Sequence, residues 1–253
     1  MKITFLGTGT SQGIPIIGST HPVCLSKNPK DKRLRVSVLL EWESSTLLID
    51  CGPDFRQQLL RTNCSRIDAV LFTHEHSDHT AGIDDLRPFY FRQGNIPVYA
   101  HTRVVSALKK RFGYIFQTEK KYPGVLTLDV HTIENISFFI GDKEITPVEV
   151  YHHKLPVFGF RIEDFAYITD AKTIANEEVK KLENLEVLVI NALRLEPHLS
   201  HFNLEEALAF IDRVKPKKAY LTHISHHMGF HDDVQKTLPE NVFLAYDELN
   251  ISL

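Results

Sequence analysis

Cysteine is scarce in this 253-residue chain: Cys24, Cys51 and Cys64 are the only three. An odd, widely spaced trio gives no disulfide framework and fits a reducing, cytoplasmic setting. No apolar run reaches the 18 residues that suggest a membrane span, so no membrane partner is expected. The stretch Ile3 to Leu6 meets Gly7 too soon to act as a signal segment. A basic surplus is also missing, since the formal net charge is -3 at pH 7. General nucleic-acid binders usually carry one, so nucleic acid is not an expected partner beyond small nucleotides. No Gly/Ser/Pro-rich linker and no internal repeat divides the chain, which predicts one domain over residues 1–253.

What the chain has in quantity is histidine, 14 residues. Histidine is the commonest metal ligand, so the placement of these residues carries the functional argument. Short apolar runs predict strands at Ile3 to Leu6, Val36 to Trp42, Thr46 to Ile49, Ala69 to Phe72, Val98 to Ala100, Ile145 to Val150 and Phe158 to Ile162. Further strands are predicted at Ala166 to Ile168, Val187 to Ile190, Ala219 to Leu221 and Val242 to Ala245, and a hairpin turn at Glu43-Ser44-Ser45. Helical patterns cover Asp54 to Arg61, Thr80 to Leu86, Arg103 to Phe112 and Asn176 to Leu182. The clearest helix starts at the Asn203 cap, with Glu206 completing a capping box, and stops at Pro216.

Several strands lead directly into metal-competent residues. Val70-Leu71-Phe72-Thr73 precedes His74, Ala166-Tyr167-Ile168-Thr169 precedes Asp170, and Ala219-Tyr220-Leu221-Thr222 precedes His223. Leu47-Leu48-Ile49 before Asp50 and Val148-Glu149-Val150-Tyr151 before His152 are similar. Rigid strands delivering ligands to one edge make a preorganised site. In the run His74-Glu75-His76-Ser77-Asp78-His79, the extended-chain period of two lets His74 and His76 face one ion. Asp78 and His79 follow where the chain turns and can face a second. Burying such a set without a function leaves many polar atoms to satisfy. Imidazole and carboxylate donors suit zinc, manganese or iron.

The motif His74-x-His76-x-Asp78-His79 resembles that of the metallo-β-lactamase superfamily, whose pattern continues with a later His, an Asp and a final His. His152, Asp170 and His223 stand in that order, and the resemblance covers nearly the whole length. It implies an α/β fold, a four-layer αββα sandwich, with two divalent transition-metal ions at one edge. By that resemblance His74, His76 and His152 hold one ion, Asp78, His79 and His223 hold the other, and Asp170 bridges them. His153 is a rival for the place of His152, which is preferred because similar proteins have a His three residues before Leu-Pro.

Gly7-Thr8-Gly9-Thr10-Ser11-Gln12-Gly13 is not a dinucleotide fingerprint, because Gln12 stands where a third glycine is needed. It resembles the first loop of the branch containing tRNase Z and the cyclic-phosphate phosphodiesterase PhnP. Leu48-Ile49-Asp50-Cys51-Gly52-Pro53-Asp54 and the run Leu221 to His226 are more similar to the PhnP side. The short segment between Asp170 and His198 leaves little room for a tRNA-gripping arm. PhnP-like proteins also carry a structural zinc, whose ligand positions here are Ser19, His21, Cys24 and His226, with the first cysteine absent. Among the basic residues from Lys27 to Arg35, Arg33 and Arg35 are the candidates for a bidentate phosphate contact.

These features predict a cytoplasmic, dinuclear metal-dependent phosphodiesterase acting on a small cyclic phosphate ester by attack of a metal-bridging hydroxide. Asp78 orients the nucleophile, and His201, just before the Asn203 cap, protonates the leaving oxygen. His198 is either structural or substrate-facing, and a homodimer is compatible with the branch. The alternatives are a thioesterase or lactonase of the same superfamily, and a non-catalytic metal-stabilised binding module.

Overall fold

Alternation within short strands decides the architecture. Val38 and Leu40 point to one side of their strand and Leu39 to the other; Leu47 and Ile49 oppose Leu48, and Ala69 and Leu71 oppose Val70. Strands that are apolar on both faces must be covered on both. The structure, a computed structural model, describes residues 1–43, 45–117, 119 and 122–253.

The first sheet runs in the order Asn250–Ser252, Lys2–Gly7, Ser37–Glu41, Thr46–Ile49, Ala69–Leu71, Ile96–His101 and Leu128–Ile133. The second runs Thr173–Ile174, Lys143–His152, Leu155–Ile162, Phe165–Ile168, Val187–Asn191, Lys218–Thr222 and Val242–Leu244, with Phe138–Ile140 paired to Lys143–His152. Between the sheets lies one core, in which Ile3, Phe5, Val38 and Leu71 meet Ile145, Phe160, Tyr167 and Val189. The outer face of the first sheet packs Leu39, Leu48 and Val70 on Phe55, Phe89, Val104 and Leu108, which lie on the helices Phe55–Leu60, Arg87–Gln93 and Thr102–Arg111. The outer face of the second packs Ile168, Ile190 and Leu221 on Ala207, Phe210 and Ile211 of the helix Leu204–Val214. The layers are therefore helix, sheet, sheet, helix, the αββα sandwich that the motif resemblance implies.

The helix Leu204–Val214 keeps both halves of its capping box, and Lys215 ends it in the left-handed conformation just before Pro216. The expected helix from Thr80 to Leu86 is corrected. The chain instead forms a short helix Ser77–Thr80, a 3₁₀ turn Ile83–Leu86 and a helix Arg87–Gln93. Pro88 sits in the first turn of that last helix, where its missing N–H is harmless, so it starts a helix there rather than extending one. The strands Leu128–Ile133, Phe138–Ile140, Thr173–Ile174 and Asn250–Ser252 were not predicted. They are short or carry polar residues, and cross-strand pairing creates them. The expected turn at Glu43-Ser44-Ser45 includes Ser44, which lies outside the described residues, although Trp42 N–H donates to Ser45 O across it at 2.8 Å.

The strands Thr46–Ile49, Ala69–Leu71 and Ile96–His101 are parallel neighbours, as are Phe165–Ile168, Val187–Asn191 and Lys218–Thr222. Their carboxyl ends share one edge in each sheet, which places Asp50, His74, Asp170 and His223 together. Asp50, Asp170 and His223 all leave their strands with positive φ, at 61°, 56° and 56°. Such conformations are uncommon outside glycine and cluster at functional sites. Among the described residues, no helix is long and apolar enough to cross a membrane.

Candidate metal centre

The strand ends deliver imidazoles held at Nδ1 by hydrogen bonds, which turns Nε2 toward the cluster. Thr73 Oγ1 donates to Asp50 Oδ2 at 2.8 Å, so it accepts from His74 Nδ1 at 3.0 Å. His79 Nδ1 donates to Asp50 Oδ2 at 2.6 Å, and His152 Nδ1 donates to the Ser200 carbonyl at 2.8 Å. With hydrogen on Nδ1 in each case, Nε2 is the nitrogen left to coordinate a cation. His74 Nε2 faces His76 Nδ1 at 3.0 Å. His79 Nε2 lies 3.2 Å from both Asp78 Oδ2 and Asp170 Oδ2, and His223 Nε2 lies 3.3 Å from Asp170 Oδ1.

Among the described residues, donor atoms within 4.8 Å of one another fall into three groups: His74, His79 and Asp170; Asp78, His79 and His223; and His152, Asp170 and His201. Six of the seven residues expected as ligands are thus brought together. The seventh, His76, joins through its contact with His74, its ring 5.3 Å from that of His152. His201, expected as a proton donor, stands against Asp170 with Nε2 3.0 Å from Oδ1. His153 is exposed in the tight turn between Lys143–His152 and Leu155–Ile162, with φ 57°, so it is His152 that faces the cluster.

The donor set fits a cation. His79 Nε2 and both ring nitrogens of His223 are buried without a hydrogen-bond partner, and such atoms are costly unless something binds them. The electrostatics agree. Burial disfavours the charged form of His79, but Asp78, Asp170 and Asp50 outweigh it and hold its pKa well above the usual range. For Asp78 and Asp170, burial is again the largest single influence and is again overcome, by His79 together with His223, leaving both well below the usual carboxylate range. Three carboxylates around one buried imidazole make a locus of negative potential that suits divalent ions.

Asp50 is part of this site although it faces no metal position. Its carboxylate accepts from Thr73 N–H, Thr73 O–H and His79 Nδ1–H and is completely buried. Burial pushes its pKa up, and His79 and Thr73 pull it back. The sequence signal was present in the strand leading to Asp50, but its role as an orienting acceptor required the tertiary contact. Asp50→Ala leaves three donors without an acceptor in a dry site. Metal affinity is expected to fall about 10–100-fold, measured by competition with a chromophoric chelator. Unchanged affinity would show that something else orients His79.

The implied structural zinc fits less well. The His21 and His226 rings approach to 4.7 Å, and His226 Nδ1 is a buried orphan. However, His21 Nδ1 caps its helix by accepting from Val23 N–H, and Cys24 packs with Ile14 and Val23. Among the described residues, His21, Cys24 and His226 do not form a group of donors within 4.8 Å. The expectation that Arg33 contacts phosphate is corrected. The residue is 3% exposed, and its guanidinium donates to Thr8 Oγ1, the Ala245 carbonyl and His231 Nδ1. Arg35 is partly exposed and holds Asp54 Oδ2 through Nε at 3.1 Å.

Comparisons with known proteins give the family and the fold. The octanoyltransferase of Porphyromonas gingivalis is 37% identical over 252 residues, 98% of this chain and 51% of that one. Ribonuclease Z of Bacillus subtilis is 28% identical over 169 residues, 65% of this chain and 49% of that one. The chain therefore spans about half the length of these curated relatives. A solved diphosphatase of the PhnP family superposes with a TM-score of 0.92 at 36% identity, covering 99% of this chain and 96% of that one. Zinc-bound PqqB from Methylobacterium extorquens superposes over the full length of both chains with a TM-score of 0.82 at 16% identity, a likeness of fold alone. Residues 45–224, more than half of the sequence, match the family described as beta-lactamase superfamily domain, and the chain belongs to that family.

Proposed function

We propose that this chain is a metal-dependent phosphodiesterase acting on a small cyclic phosphate ester. The observation that carries this reading is His201, whose Nε2 lies 3.0 Å from Asp170 Oδ1 at the wall of the donor cluster. The relatives named diphosphatase and ribonuclease Z support phosphorus chemistry. Divalent metal ions held by His74, His76, His152, Asp78, His79, His223 and Asp170 would supply Lewis-acid polarisation and a nucleophilic water near neutral pH. Asp78 orients the attacking water as a hydrogen-bond acceptor. The P–O bond to the leaving group breaks with its electron pair on oxygen, and His201 Nε2–H protonates that oxygen. Arg35, which lies against Gly52 beside the Asp78 backbone, binds a phosphate oxygen in this reading.

A second reading has one observation behind it, the relative named octanoyltransferase, which favours acyl chemistry. A thiolate leaves without protonation, so His201 separates the two readings. With Mn²⁺ or Zn²⁺ supplied, His201→Ala should lower turnover of an alkyl phosphodiester by about 10²–10⁴-fold, the usual contribution of a general acid. Full activity of that variant, or turnover of acyl thioesters alone, would move the assignment to the acyl reading.

A further inference from the structure

His198 precedes His201 by three residues, and no step above uses it. Its Nδ1 lies 3.3 Å from the Ser200 backbone N–H and 3.2 Å from His201 Nδ1. A backbone N–H only donates, so His198 Nδ1 is an acceptor. In the charged form that can give up a proton, His201 carries hydrogen on both ring nitrogens, and its Nδ1–H then has His198 Nδ1 as an acceptor at 3.2 Å. Ser200 Oγ fits the same polarity. It stands 3.3 Å from His198 Nδ1 and 3.1 Å from His201 Nδ1, where it can accept from the second. On the opposite side of the ring, His201 Nε2 meets Asp170 Oδ1.

We propose that His198 is a positioning residue, which fixes the ring of His201 and commits its Nδ1 hydrogen. Only the Nε2 hydrogen is then free to leave. After transfer to the leaving oxygen, His201 remains as the neutral Nδ1–H tautomer, still bonded to His198. The chain of contacts runs from the Ser200 amide through His198 and His201 to Asp170 and stiffens the loop from Pro197 to Phe202. This inference rests on the reading of His201 as proton donor.

The test compares two phosphodiesters that differ in the leaving group, a 4-nitrophenyl ester and an ethyl ester, with the Mn²⁺-loaded protein. Departure of 4-nitrophenolate needs little protonation, whereas departure of ethoxide needs much. In His198→Ala, kcat for the ethyl ester is expected to fall at least about tenfold further than kcat for the 4-nitrophenyl ester, a fraction of the full general-acid contribution. His198→Asn, whose Oδ1 replaces Nδ1 as the acceptor, should recover most of that difference, while His198→Gln should not. Equal losses on both esters, or no advantage of Asn over Gln, would reduce His198 to a structural role and overturn the inference. His201→Ala separates this from the underlying reading. If it shows no leaving-group dependence, the proton-donor assignment fails; if it shows one that His198→Ala lacks, only the role of His198 fails.

Discussion

Asp170→Asn should lower phosphodiester hydrolysis by at least about 10³-fold at saturating metal, with the circular dichroism of the fold unchanged. The size of the effect follows from where Asp170 stands. One carboxylate contacts His201 at 3.0 Å, His79 at 3.2 Å and His223 at 3.3 Å, so it joins the separate donor groups. Asparagine is the informative replacement. Asp170 has φ 56°, a conformation that asparagine tolerates better than most residues, so backbone strain is not added. The amide also preserves the shape and removes only the charge. A neutral side chain no longer offsets His79 and His223, and metal content measured by mass spectrometry should fall with activity. Activity within tenfold of the parent protein would exclude Asp170 from the centre of the mechanism.

Arg33→Met should cost stability rather than catalysis, by about 3–5 kcal/mol, the usual loss when one partner of a buried charge network is removed. Burial pulls the pKa of Arg33 down to about 10, against the opposing pull of Asp247 and Asp31. Asp247 is itself partly buried, with its pKa pushed up to about 6, and accepts from Thr8 N–H, Thr8 O–H and Leu34 N–H. His231 is kept neutral by burial and by Arg33, at about 4, which suits the acceptor role of its Nδ1. Methionine fills the stem's volume but leaves these acceptors and Asp247 uncompensated. The glycine-rich loop loses its anchor, because Thr8 O accepts from Ile224 N–H beside His223. Thermal denaturation should show the loss, with KM for a phosphodiester unchanged. A raised KM at unchanged melting temperature would return Arg33 to the substrate.

The glycines of that loop serve packing rather than a phosphate cradle. A Cβ on Gly7 would lie 2.0 Å from the Arg35 carbonyl, and one on Gly9 would lie 2.9 Å from the Arg33 carbonyl. The tertiary fold presses this loop against residues 33–35, which no local pattern records.

The sequence by itself determined the donor types, the strands that carry them, the capping box at Asn203 and, through the motif resemblance, the sandwich. Those are local matters: periodicity, side-chain chemistry and spacing within a few residues. Only the tertiary structure decided which of His152 and His153 faces the cluster, since one residue further along a hairpin turn reverses direction. It also assigned Asp50 to the orientation of His79, placed His198 against His201, and buried Arg33 while leaving Arg35 partly exposed. Each of these depends on contacts between segments far apart in the chain, where burial and hydrogen-bond polarity are settled by the neighbours that folding supplies.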